Sequence, residues 1–128
     1  MSILSICLLL SLHVFADLFF QSDEKIKKKS LNIWKIFEHS LFYTVIVSLG
    51  LYLISLTDLY EIKINNLFYF SMIIFCSHLI IDYLTSKVTG YFWETRKRYD
   101  FLLAYFLDQY THYIILFVSY YILLQKMI

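Results

Sequence analysis

Four apolar stretches, residues 2–20, 34–56, 66–85 and 101–124, make up most of the chain, and no proline interrupts any of them. A helix needs about 20 residues to cross roughly 30 Å of hydrocarbon. Within lipid, only helices and closed barrels satisfy every backbone polar group internally. The stretches are continuous rather than alternating, so an outer-membrane type of barrel is excluded. The expectation is an all-α, integral membrane four-helix bundle, a single membrane domain over residues 1–128.

Composition agrees with lipid as the solvent. The chain is 60% hydrophobic and 20% aromatic, against about 45–50% apolar residues in soluble domains. A formal net charge of +1 gives nucleic acid no electrostatic footing. Cys7 and Cys76 both fall within spans and read as small apolar residues rather than a disulfide or thiolate site. Val14-Phe15-Ala16 has the look of a signal-cleavage site. However, no Lys or Arg precedes the apolar run, and the run continues through Leu18-Phe19-Phe20, so the first stretch reads as a retained span.

Basic residues are placed unevenly. Lys25, Lys27, Lys28 and Lys29 lie in the first connection, with Lys35 just inside the second span, and Lys87, Arg96, Lys97 and Arg98 lie in the third. The second connection has only Lys63, beside Asp58 and Glu61. By the positive-inside rule the first and third connections face the cytoplasm, which places both termini outside it in a multi-pass inner (plasma) membrane protein. Trp34 and Trp93 flank the two basic connections as interfacial anchors. The third connection, 86–100, is expected as a basic loop or short amphipathic surface element, with Asp100 as N-cap of the fourth helix.

Against this background the ionisable residues inside the spans stand out. An Asp at a helix centre costs about 2.5–3.5 kcal/mol on insertion scales, yet Asp17, Asp82 and Asp108 all lie in spans. So do His13, His39, His78 and His112, which are the chain's four histidines. His13 with Asp17, His78 with Asp82 and Asp108 with His112 are each four apart, so each pair shares one helix face. Depth agrees as well. His13 and Asp17 lie about seven and three residues from the cytoplasmic end of their span, as do His78 and Asp82. His39 lies about five residues in, and Asp108 and His112 about seven and eleven. At about 1.5 Å per residue nearly all of them fall in one layer of the cytoplasmic half. Gln21 extends the stripe of the first helix.

Four helices feeding one polar layer is how metal sites are built in bundle cores. The seven nitrogen and oxygen donors exceed the needs of one tetrahedral zinc. They suit one or two divalent ions, zinc first with manganese or iron as alternatives, and leave a carboxylate to orient a ligand histidine or to act as base. A haem held by two histidines would leave the aspartates unexplained. A proton or ion path and a purely structural hydrogen-bond network are the remaining readings. Glu38, beside His39, reads as an interfacial charge.

These residues resemble a family. His13-Val14-Phe15-Ala16-Asp17-Leu18-Phe19-Phe20-Gln21 is similar to the H-x-x-A-D-x-x-x-Q opening of the bacterial membrane proteins of domain-of-unknown-function family 3307. His78-Leu79-Ile80-Ile81-Asp82-Tyr83 and Asp108-Gln109-Tyr110-Thr111-His112 resemble its later blocks, and His39 stands where the family tends to carry a lone histidine. The resemblance spans nearly the whole chain. It implies a prokaryotic or phage origin and an inner-membrane location, and makes Gln109, like Gln21, a candidate for supporting a ligand. No activity comes with it.

The function expected from the residues is a membrane-embedded metal-binding protein. The first form is a metal-dependent hydrolase at the cytoplasmic interface, with His13, Asp17, His39, His78, Asp82, Asp108 and His112 as ligands and Asp17 or Asp82 as the catalytic base. Its partners would be the lipid bilayer and a lipid or membrane-anchored substrate, and an oligomer is compatible with the pattern. The alternatives are a proton or metal-ion transporter or channel component, and a non-catalytic structural or signalling membrane protein.

Overall fold

The computed structural model describes residues 3–19, 32–56 and 62–125. Four helices account for nearly all of them: α1 (Ile3–Phe19), α2 (Ile33–Ser55), α3 (Ile64–Glu94) and α4 (Arg98–Tyr120), the last extended by a wider π-helical turn, Tyr121–Gln125. No strand occurs among the described residues. The connection around Gln21 and Lys25–Lys29 lies outside them.

Sorting of residues by burial is inverted relative to a soluble protein. His13 and Ser40 are fully buried, whereas Phe106 is 65% exposed and Phe68 61%. Exposed apolar side chains cover the outside along every helix, including Phe42, Leu53, Ile80, Leu84 and Leu102. An apolar exterior this extensive has lipid as its solvent. Three of the helices, α2, α3 and α4 with its π turn, are long and apolar enough to cross a membrane, and α1 is a shorter apolar helix of the same bundle. The protein is therefore an all-α membrane bundle.

α3 and α4 pack most extensively, α2 lies between α3 and α1, and α1 meets α4 least. Where α1 packs on α2, Gly50 leaves room for the Leu12 side chain, which a Cβ there would meet. Ser48 and Ser71 pair their hydroxyls at 2.6 Å and tie α2 to α3. Toward the end of the bundle where α2 finishes and α3 begins, the core is apolar: Leu9, Val47, Leu51, Leu67, Phe70, Ile74, Leu116 and Leu124.

The helix ends differ in places from the sequence reading. α2 starts as expected, capped by the Asn32 side chain, which accepts from Trp34 N at 3.0 Å. α3 does not end at residue 85. It runs on to Glu94, for 31 residues or about 46 Å, and the expected connection 86–100 shrinks to Thr95-Arg96-Lys97. Arg96 takes a left-handed conformation at φ 56°. Arg96 N donates to Trp93 O at 3.2 Å and Lys97 N to Phe92 O at 3.0 Å, the paired bonds of a Schellman termination with arginine at the position usually held by glycine. Lys97, not Asp100, is the N-cap of α4; Asp100 sits in the first turn, where its charge complements the helix dipole. The α3–α4 hairpin thus extends past the start of α2.

Candidate functional site

All seven histidines and aspartates singled out in the spans are buried and meet in one layer. The four-residue spacing works as expected, because each pair points inward from its own helix. His39 enters from α2, six residues or about 9 Å from the start of that helix. Asp82 is at the centre. Its Oδ1 is 3.2 Å from His112 Nε2, and its Oδ2 is 3.6 Å from both His39 Nε2 and His78 Nε2. Asp17 Oδ1 lies 3.0 Å from His39 Nε2. Donors about 2.0–2.1 Å from a tetrahedral ion stand roughly 3.3 Å apart, so these separations are of the right size for shared coordination.

Two overlapping ligand groups result. Asp17, His39 and His78 form one, and His78, Asp82 and His112 the other; within each, the candidate donor atoms lie within 4.8 Å of one another. His78 belongs to both. Its ring is sandwiched between Tyr43 (centroids 4.0 Å apart, planes at 14°) and His112 (4.2 Å). The residue is 1% exposed, and neither ring nitrogen has a hydrogen-bond partner. A buried polar group without a partner costs about 1–3 kcal/mol, and a ligand on His78 would remove that cost.

His13 and Asp108 share the layer but lie outside both groups. The amide nitrogen of Gln109 donates to Asp17 Oδ2 at 2.9 Å and to Asp108 Oδ2 at 3.3 Å. Its carbonyl oxygen faces His13 Nε2 at 3.2 Å. Two carboxylates fix the orientation of this amide, so His13 donates from Nε2. His13 Nδ1 is then the acceptor for the Tyr43 hydroxyl at 2.7 Å. Asp108 Oδ1 receives the Thr85 hydroxyl at 2.6 Å and lies 3.5 Å from His112 Nε2. These contacts hold the layer together from its edge.

Tyr43 and Thr85 were not singled out from the sequence. Tyr43 is four residues after His39 and Thr85 three after Asp82, so both occupy the inward stripes. Glu38 is exposed, as expected of an interfacial charge, and Cys7 and Cys76 are exposed free thiols that do not join the buried layer. Gln21 lies outside the described residues.

Chemically, the layer offers imidazole nitrogens and carboxylate oxygens with no thiolate, a donor set suited to a divalent ion. No curated protein and no solved structure matches the chain. The family model for Protein of unknown function (DUF3307) matches residues 5–128, and the chain belongs to that family.

Proposed function

We propose that the protein is a membrane-embedded metal-dependent hydrolase whose site lies just below the cytoplasmic headgroup layer. His78 carries this reading: a fully enclosed imidazole with both nitrogens unpartnered, shared by two carboxylate-containing ligand groups. His39, His78, His112, Asp17 and Asp82 are the ligands, and zinc, manganese or iron suits them. His13 and Asp108 orient the ligand set through Gln109, Tyr43 and Thr85.

A divalent ion bound there supplies Lewis acidity to a scissile ester, phosphodiester or amide. The chain's own groups do the rest. Asp17 is oriented by Gln109 on one oxygen and His39 on the other, and Asp82 stands between three imidazoles. Whichever of the two is not engaged by the ion is placed to take a proton from an attacking water and to return that proton to the leaving group. Beyond the layer the core is apolar, with Val47, Leu51, Phe70 and Leu116, and the described helix residues there include no His, Asp, Glu, Lys or Arg to continue an ion path. That supports a hydrolase over a transport path.

The test is elemental analysis of detergent-purified protein beside His78→Ala and His78→Gln variants. Wild type should carry one or two equivalents of a single divalent metal, and both variants should lose at least half of it while eluting as the same folded species. A folded, metal-free wild type, or variants with unchanged metal content, would sink the proposal.

A further inference from the structure

Among the described residues, α1 and α4 pack on each other least of the neighbouring helices. Along α4 at this seam, Leu103, Tyr105, Phe106, Gln109, Tyr110 and Tyr113 line a cavity of about 620 Å³ that also reaches Tyr99 and Leu102. Among the described residues that line it none is charged, and Gln109 and four tyrosines carry its polar side-chain atoms. Two of them touch the polar layer itself. Gln109 bonds His13, Asp17 and Asp108, and the Tyr113 ring lies 4.6 Å from that of His13. From Tyr99 to Tyr113 the groove follows fourteen residues, about 21 Å of helix. It begins on the hairpin that extends past the start of α2 and ends at the depth of His112.

We propose that this groove is a lateral access route by which a phospholipid from the cytoplasmic leaflet reaches the site. The lipid's acyl chain lies against Phe106 and Tyr110, and its ester linkages come to Gln109, the side chain of the groove's described wall that bonds the polar layer. The inference deepens the hydrolytic reading and rests on it for the substrate class, which it narrows to a lipid ester or phosphodiester. A lipid is the occupant favoured by the chemistry. The groove opens sideways among exposed apolar residues such as Leu102 and Phe106, carries no charge among its described lining residues to recognise a soluble ligand, and leads an amphiphile inward without first exposing its chains to water.

The experiment uses the full chain in phosphatidylcholine nanodiscs doped with a phospholipid that carries a diazirine on its acyl chain near the glycerol. Photolysis and peptide mapping should show adducts at Phe106, Tyr110 and Tyr113 at least fivefold above those at Leu84 and Leu107, exposed residues outside the groove. Leu102→Trp and Leu103→Trp, which fill the groove, should cut those adducts severalfold while leaving labelling at Leu84 and the bound metal unchanged. Equal labelling at all exposed positions, or labelling indifferent to the tryptophans, overturns the proposal and leaves only surrounding lipid. Chain-to-chain adducts at Tyr110 overturn it in favour of a second copy. Selective groove labelling in a protein that binds no metal would instead overturn the hydrolytic reading and leave the groove standing as a lipid site.

Discussion

Tyr43 engages two histidines in two different ways. Its hydroxyl meets His13 Nδ1 at 2.7 Å and its ring stacks on His78 at 4.0 Å. Tyr43→Phe separates the two functions, since it removes the hydroxyl and keeps the ring. Interhelical hydrogen bonds in membranes are worth about 0.6 kcal/mol on average and reach about 1.7. The variant should lose about 1 kcal/mol, because His13 Nδ1 is left buried without its donor, and metal content should be unchanged. Denaturant titration in detergent beside elemental analysis checks both halves; loss of metal in Tyr43→Phe would mean that the ligand set depends on this hydrogen bond for its orientation. The histidines and aspartates were legible from spacing because such groups are costly in a span and have few other uses there. Tyr43 and Thr85 were not. Threonine in a helix usually bonds its own preceding turn, as Thr44 does with Ser40 O at 2.8 Å. Thr85 bonds Ile81 O at 2.9 Å and Asp108 at 2.6 Å, and spacing alone does not distinguish the two behaviours.

Among the elements, α1 and α2 were legible from their apolar runs, and the inward end of α3 was not. Its composition turns polar after residue 85, where it passes the start of α2, but its backbone stays helical. The turn that ends it has no glycine to mark it: Gly90 is inside the helix, and Arg96 occupies the left-handed position. For a residue with a Cβ that conformation costs about 1–2 kcal/mol. Arg96→Gly should therefore raise the stability of the bundle by about 1 kcal/mol, read as a higher midpoint in detergent denaturation. Destabilisation would mean that the Arg96 side chain contributes more than the turn geometry costs. Arg96 also lines a second cavity, with Phe92, Trp93, Arg98, Phe101 and Leu102, so the same variant reports on whether that aromatic and basic surface holds the hairpin tip in place.

For the whole molecule, the orientation in the bilayer remains an inference from Lys and Arg placement. The hairpin tip is the place to test it. With Cys7 and Cys76, both exposed, replaced by alanine, Thr95→Cys should react with a membrane-impermeant maleimide in inverted membrane vesicles and not in intact cells. The opposite pattern would put the site under the outer leaflet. The distribution of carboxylates has a consequence for how the protein is made. α1, α3 and α4 each bring one buried aspartate to the layer, and α2 brings none, so the insertion penalty is divided among separate helices and no one segment carries it all. The completed arrangement belongs to none of them. A nascent chain halted after α3 would hold Asp82 without His112 and Asp17 without Gln109, with nothing yet closing the far side. Such a fragment would present incompletely partnered acid to the membrane interior, and the arrival of α4, the last of the four helices in chain order, is the step that converts a costly intermediate into a finished site.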